Sequence, residues 1–172
     1  MLLVLGIDPG LNNTGWGLVS YINNTFGYIA SGTVKNGGTL ETCVKLKNIY
    51  DELISVIQKE TPTECAIEDT FVNKNPRISL KLGYAKGVAM LAATKNNLQV
   101  FEYAPREIKS AFAGSGKASK EQMTGMLKYL LPLHKASSEH EVDALAIAIC
   151  HINTESFKKK LKEYPSLIAG SK

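Results

Sequence analysis

The sequence predicts an α/β fold, a mixed five-stranded sheet with helices on both faces, and three observations carry that prediction. Residues 2–7 form an unbroken apolar run that stops at Asp8-Pro9-Gly10, as a central strand buried on both faces does. Residues 15–22 and 26–34, separated by Asn23-Asn24, look like the two arms of a hairpin. Beyond Gly37-Gly38 the apolar period lengthens to three and four, and helical segments alternate with short strands. That alternation implies βα units added to an antiparallel trio.

In order, Pro9 to Asn13 make a polar turn after the first strand, and Asn-Asn can adopt the left-handed conformation that a tight hairpin turn requires. Leu40, Val44, Leu46, Ile49, Leu53, Ile54 and Ile57 recur at helical spacing, an amphipathic helix ending near Lys59. Pro62 breaks it, and Cys65-Ala66-Ile67-Glu68 is a short buried strand. Residues 79–94 are helical again and 99–103 form the fifth strand. Pro105 suits the first turn of a short helix, where its missing donor costs nothing. After the break at Gly114-Ser115-Gly116, Ser119 and Gln122 stand as a capping box for a helix carrying Met123, Met126, Leu127 and Leu130. Pro132 stops it. The last helix runs from about Glu141 through Ile152 towards Lys162. The order is thus β-β-β-α-β-α-β-α-α, and in such sheets ligands gather beyond the carboxyl ends of the parallel strands. No repeat or linker divides residues 1–172, so one domain is expected, with a basic tail from about residue 157.

The chain has 172 residues, 44% hydrophobic and 21% charged, a globular composition with enough mass for a core without disulfides or a structural metal. Its apolar runs fall far short of the roughly 20 residues of a membrane span, and residues 1–7 read as a strand, not a signal peptide. Lys and Arg number 20 against 16 Asp and Glu, an excess compatible with a polyanionic partner. Cys43, Cys65 and Cys150 lack any ligand spacing and predict buried, reduced thiols in a cytosolic protein.

The chemistry lies in the acids. Asp8 ends the first strand, Glu68 ends the fourth, and Asp143 opens the last helix. Each has an ordinary reading: a turn residue before Pro-Gly, a solvated strand end beside Asp69, and a helix-start acid favoured by the macrodipole. Their shared kind of position raises the functional reading. A carboxylate at the mouth of an apolar strand is costly to desolvate unless paired, and neither Asp8 nor Glu68 has a Lys or Arg close in sequence. A divalent cation is the simplest common partner. His140, three residues before Asp143, shares its helical face and could join the site. Glu139, four before it, competes for that role, and Glu141 lies between them.

Gly6-Ile7-Asp8-Pro9-Gly10 with Thr14-Gly15-Trp16-Gly17, Ile67-Glu68 with Phe71, Leu80 to Val88, Val100 to Pro105, and Asp143-Ala144-Leu145-Ala146-Ile147-Ala148 together resemble the RuvC family of bacterial Holliday-junction resolvases. The blocks run in order over residues 2–151. The resemblance implies a ribonuclease-H-like fold, a cytoplasmic homodimer on a four-way junction, and a RuvA–RuvB branch-migration complex as partner. It places the four positions of the acidic site on Asp8, Glu68, His140 and Asp143. Many members carry a carboxylate where this chain has His140, which bears on metal preference, since imidazole suits Mn²⁺ better than Mg²⁺. The implied activity is symmetric hydrolysis of opposing strands, leaving 5′-phosphate and 3′-hydroxyl ends. Two Mg²⁺ ions about 3.5–4 Å apart would serve it, with Mn²⁺ able to substitute, Asp8 bridging them, and Glu68 and Asp143 holding one each. Phe71, in a loop with Lys74 and Arg77, corresponds to a residue that stacks at the junction centre. Lys109 and Lys120 are marked as backbone contacts, with Lys117 beside the glycine break. Gly83 and Gly87, four apart on a helix with Ala85 and Ala89, suit either a dimer face or close packing on the sheet.

Three rivals are weaker. An actin-like kinase shares the Gly-Ile-Asp-x-Gly start but needs two such domains. A related nuclease of the same fold acting on another structured nucleic acid fits the Phe71 and Val100 blocks less well. A junction-binding protein without catalysis has no reason to retain Asp8, Glu68 and Asp143.

Overall fold

In a computed structural model of the chain, residues 1–69 and 76–163 are described. Five strands, β1 (Leu2–Asp8), β2 (Asn13–Ile22), β3 (Thr25–Lys35), β4 (Glu64–Glu68) and β5 (Gln99–Tyr103), form one sheet in the order β3-β2-β1-β4-β5. β1, β2 and β3 are antiparallel, whereas β4 runs parallel to β1 and β5 parallel to β4. The expected mixed sheet therefore forms. Its order reverses at β1, which the chain leaves on one side for β2 and rejoins on the other as β4. Asn23 (φ 50°) and Asn24 (φ 61°) are both left-handed in the hairpin turn, which matches the twist of the flanking strands.

The helices are α1 (Thr42–Glu60), α2 (Pro76–Lys95), α3 (Pro105–Ala113), α4 (Lys120–Leu130) and α5 (Glu139–Glu163). Four details differ from expectation. Leu40 lies before α1, which starts at Thr42. The short helix expected at Pro105 forms as the nine residues of α3, so three helices follow β5 and the order β-β-β-α-β-α-β-α-α is one helix short. Its start is secured by the Ala104 N–H donating to the Glu107 carboxylate at 2.8 Å, and it ends at left-handed Gly114. α5 starts at Glu139, so Asp143 sits one turn inside it; the Ser138 carbonyl accepts from Val142 N–H and its hydroxyl from Glu141 N–H, both at 3.2 Å. Finally, α5 continues to Glu163, so the basic residues Lys158 to Lys162 lie on a helix and not on a frayed tail. The capping box of α4 forms as expected, Ser119 N–H donating to the Gln122 side chain at 2.8 Å.

Strand alternation sends side chains to two cores. Leu3, Leu5, Ile7, Leu18, Cys65 and Ile67 face α1 and α2. Val4, Val19, Ala66 and Tyr103 face α3, α4 and α5. Cys65 and Cys150 are buried thiols, pushed up by burial to about 12 and about 11. Cys43 is exposed, contrary to expectation, because the inward phase of α1 is set by Lys45, Ile49 and Leu53. No helix among the described residues is long and apolar enough to cross a membrane.

The α5 face of the sheet is cut back to backbone at three places. A Cβ on Gly6 would lie 2.0 Å from the Ala144 carbonyl oxygen, one on Gly15 2.0 Å from that of His140, and one on Gly17 2.8 Å from the Leu145 side chain. Gly6 pairs with Gly17, and Asp8 with Gly15, across β1 and β2. Paired residues share a face, so the three glycines form one trough along which α5 lies. Behind it, His151 of α5 is buried, accepting from the Tyr103 hydroxyl at 2.7 Å and donating to Glu64 at 2.6 Å. That chain ties α5 to β5 and β4.

Gly6→Ala is expected to destabilise the protein by about 1–3 kcal/mol, the usual cost of overpacking. Gly125→Ala, on α4 with open space around it, is expected to stabilise by about 0.5–1 kcal/mol. Urea unfolding of both variants checks the pair.

Candidate active site

Positions 4, 6 and 8 of β1 face α5, and so do 64, 66 and 68 of β4, by the period-two rule and the core assignments of Val4 and Ala66. Because β1 and β4 are parallel neighbours in register, Ile7 beside Ile67, Asp8 and Glu68 emerge together at the same carboxyl edge. The glycine trough draws the first turns of α5 over that edge, adding His140 and Asp143. The structure thus gathers the four residues singled out in the sequence.

His140 donates through Nδ1 to Asp8 Oδ2 at 2.7 Å. That hydrogen bond raises the imidazole above its ordinary value, reinforced by the charges of Asp8, Asp143 and Glu139. Glu68 is pushed up to about 7, by burial first and then by the charges of Asp8 and Asp143, with Lys109 opposing. Asp143 is pushed up to about 6, again by burial and then by Asp8, against His140 and Lys120. Asp8, Glu68 and His140 line one cleft of about 290 Å³. Asp143 borders another hollow, with Lys120 and Glu139.

The two competing glutamates separate cleanly. Glu139 is exposed and paired with Lys120 at 2.5 Å. Glu141 is buried and turned away, accepting from the hydroxyls of Ser31 (2.8 Å), Ser137 (3.0 Å) and Ser138 (3.1 Å). Burial alone would raise its carboxyl, but these hydrogen bonds hold it below the ordinary range. Glu141 therefore anchors the start of α5. Asp69 and Glu102, at the ends of β4 and β5, are both joined to Lys86 of α2. This bridge was not anticipated, since Lys86 is 17 residues from Asp69.

A divalent cation fits this donor set. Glu68 and Asp143 are pushed up by burial and by the carboxylates beside them when no cation is present, and the donors are hard oxygens with one imidazole. Among the described residues no three His, Cys, Asp or Glu side chains stand close enough together to hold a metal ion by themselves, so a cation here would rest on one or two carboxylates, with water and substrate oxygens completing its shell. An open site is what Mg²⁺ uses, since it keeps water and takes further oxygens from a phosphorylated substrate.

The expected DNA contacts are placed unevenly. Lys109 is half-buried on α3, within electrostatic reach of Glu68, and Lys120 opens α4 within reach of Asp143. Lys117 is exposed in the turn before α4, and Arg77 is exposed on the first turn of α2. Phe71 and Lys74 lie outside the described residues. Gly83 and Gly87 are exposed with open space around them, so close packing on the sheet is ruled out; Ala85, Ala89, Ala92 and Ala93 are the buried side of α2.

The family model described as crossover junction endodeoxyribonuclease RuvC matches residues 4–151. The crossover junction endodeoxyribonuclease RuvC of Agrobacterium fabrum is 44% identical over 148 residues, 86% of this chain and 87% of that protein. That of Legionella pneumophila is 43% identical over 161 residues, 94% of this chain and 92% of that protein. T. thermophilus RuvC in complex with Holliday junction substrate is similar in structure, with a TM-score of 0.85 at 28% identity, covering 92% of this chain and 97% of that one.

The clustered carboxylates set a pH dependence. Glu68 binds its proton more tightly folded than unfolded, so stability falls as pH rises from its ordinary 4.5 to about 7. Glu68→Gln removes that loss. In chelator at pH 8 it is expected to be more stable than wild type by on the order of 1–3 kcal/mol, with the difference vanishing towards pH 4. Added Mg²⁺ is expected to raise the Tm of wild type more than that of the variant. Thermal melts across pH, with and without Mg²⁺, read both effects.

Proposed function

This chain belongs to the RuvC family of crossover junction endodeoxyribonucleases, and from that premise we propose how its residues act. It is a nuclease that resolves Holliday junctions. The proposed course is paired, symmetric hydrolysis of phosphodiester bonds in opposing strands, leaving 5′-phosphate and 3′-hydroxyl ends suited to ligation. The observation that supports the reading is the convergence of Asp8, Glu68, His140 and Asp143 at one sheet edge, with burial and mutual charge acting on the two outer carboxylates.

Asp8, Glu68, His140 and Asp143 would hold the divalent cations, which we take to be two Mg²⁺ with Mn²⁺ able to replace them. When bound, these ions relieve charge on the phosphoryl oxygens and acidify the attacking water. Asp8 also accepts the Nδ1 proton of His140, which fixes the ring and leaves Nε2 as its remaining donor or acceptor. From that atom His140 can orient the water or hold its proton. Lys109 and Lys120, already in the field of the outer carboxylates, are proposed to contact the DNA backbone, with Lys117 and Arg77 further out. Phe71 is proposed, from the family resemblance alone, to stack at the junction centre, with Lys74 of the same basic loop as a further DNA contact.

We take the acting form to be a homodimer, since a four-way junction presents two equivalent strands. The exposed side of α2 suits a second copy: Leu80, Tyr84 and Leu91 flank Gly83 and Gly87 along one helical stripe. Small residues between larger apolar ones allow two helices to approach closely. Branch migration by a RuvA–RuvB complex, acting in the cytoplasm, completes the proposed setting.

Two experiments test this reading. On a synthetic four-way junction, wild type is expected to make paired nicks in Mg²⁺ or Mn²⁺ and none in chelator. Asp8→Asn is expected to lose at least about 10²-fold in rate, as when a group acting mainly on the transition state is removed, while still binding. Metal-independent nicking, or equal cleavage of linear duplex, would overturn it. Separately, Leu80→Glu with Leu91→Glu is expected to convert a dimer into a monomer in sedimentation velocity, with the wild-type Tm of the monomer retained. An unchanged sedimentation coefficient would place the dimer face elsewhere.

A further inference from the structure

We propose that a phosphate-binding subsite centred on Lys45 lies beside the candidate active site and holds the DNA backbone next to the cleaved bond; it rests on the nuclease reading above. Lys45 is only 6% exposed and occupies the inward phase of α1, one turn before Ile49 and two before Leu53. A buried ammonium is costly unless a carboxylate or another anion is beside it. Among the described residues Lys45 forms no ion pair. Its Nζ donates to a neutral acceptor, the Asn12 Oδ1 atom, at 2.6 Å.

The surroundings supply what an anion needs. Lys45 borders a groove of about 590 Å³ whose polar lining comes from Asn12 and Asn13 in the β1–β2 loop, Thr42 of α1, Lys81 of α2 and His140 of α5. Among the described residues no Asp or Glu lines it, whereas the neighbouring candidate active-site cleft holds Asp8, Glu68 and Asp69. Both are lined by His140, so a strand whose reactive phosphodiester sits at Asp8 has this cationic groove as its next stretch. Because Asn12 Oδ1 is taken by Lys45, its amide Nδ2 remains as a donor. Glu41 stands at the N-cap of α1, but its carboxylate makes no capping hydrogen bond to the first turn, so the N–H groups there remain as donors.

The groove wall is also built to hold its shape. Asn36 is buried and donates through Nδ2 to the carbonyls of Leu11 (3.1 Å) and Lys45 (3.2 Å). Its N–H donates to the Asn12 carbonyl at 2.8 Å, and its Oδ1 accepts from Asn48 at 2.9 Å. One side chain thus ties the loop after β1 to α1 at Lys45 and Asn48. Two lysines and amide donors recognise a phosphodiester through its charge and oxygens, independently of base sequence.

The test uses the full chain with a labelled four-way junction and a linear duplex of the same sequence, in chelator, over a range of salt. Lys45→Met keeps the buried stem and removes the charge; Lys45→Arg keeps the charge. Lys45→Met is expected to weaken junction binding by about 3–10-fold near 100 mM salt and to reduce the salt slope by about one per protomer. Its Tm should equal or exceed that of wild type, and Lys45→Arg should retain most of the affinity. Unchanged affinity and slope in Lys45→Met overturn the subsite. So does a Tm lowered by several degrees with the salt slope intact, which marks a structural lysine. Failure of the nuclease reading shows separately, as wild type making no metal-dependent paired nicks, and the linear-duplex arm then still decides whether Lys45 holds a DNA phosphate.

Discussion

Everything at the candidate active site depends on how closely α5 can lie on β1 and β2. At Gly6 and Gly15 the helix backbone occupies the space where a Cβ would stand, 2.0 Å from the carbonyls of Ala144 and His140. An ordinary side chain at either position would lift the helix and carry His140 away from Asp8, whose contact at 2.7 Å has no slack. Glycine weakens a strand interior, so the arrangement gives up local stability for proximity. It regains part of it from the apolar seam of Leu145 to Ile152 and from the Tyr103–His151–Glu64 chain behind it. Sheet edge and helix start are thus held as one rigid unit.

Within that unit, acids in similar sequence positions meet different fates because they meet different partners. Glu141 is more buried than Glu139 but is held ionised by hydroxyls from β3 and from the start of α5. Asp69 shares Lys86 with Glu102. Asp8 has His140, while Glu68 has only Lys109, and Asp143 only His140 and Lys120, to offset burial and the charge of Asp8. The strain falls on two carboxyls, and a dication relieves it more completely than protons can, because it satisfies several oxygens at once. A site that destabilises the empty fold is also one that favours its metal.

The sequence made the strands legible because β1 is a continuous apolar run that ends in Asp8, and because Asn23-Asn24 can take a left-handed turn. It made the four site residues legible because three acids fall at element ends and His140 lies three before Asp143. The start of α5 is less legible although Ser138 and Glu141 carry the capping-box spacing, because the acids from Glu139 to Asp143 fit site chemistry as well as a helix start. Lys45 was passed over because a lysine on an amphipathic helix is usually solvated. Only its spacing of four from Ile49, on the inward phase, marks it. Lys86 had no sequence signal at all, since its two partners come from different strands.

The placement of charge also says how DNA and metal depend on each other. A phosphodiester approaching Asp8, Glu68 and Asp143 meets like charge, and these half-buried groups are screened by salt much less than surface ones. In the proposed binding mode attraction comes from the rims: Lys109 and Lys120 on the α3–α4 side, and Lys45 and Lys81 where α1 and α2 meet the β1–β2 loop. The rims can hold a strand across the acids without a cation, at a cost set by central repulsion. A bound dication turns that repulsion into attraction, so each ligand improves the site for the other by an equal factor. On the proposed reading, junction binding without metal and cleavage only with it are two expected consequences of one charge pattern, an acidic floor between basic walls.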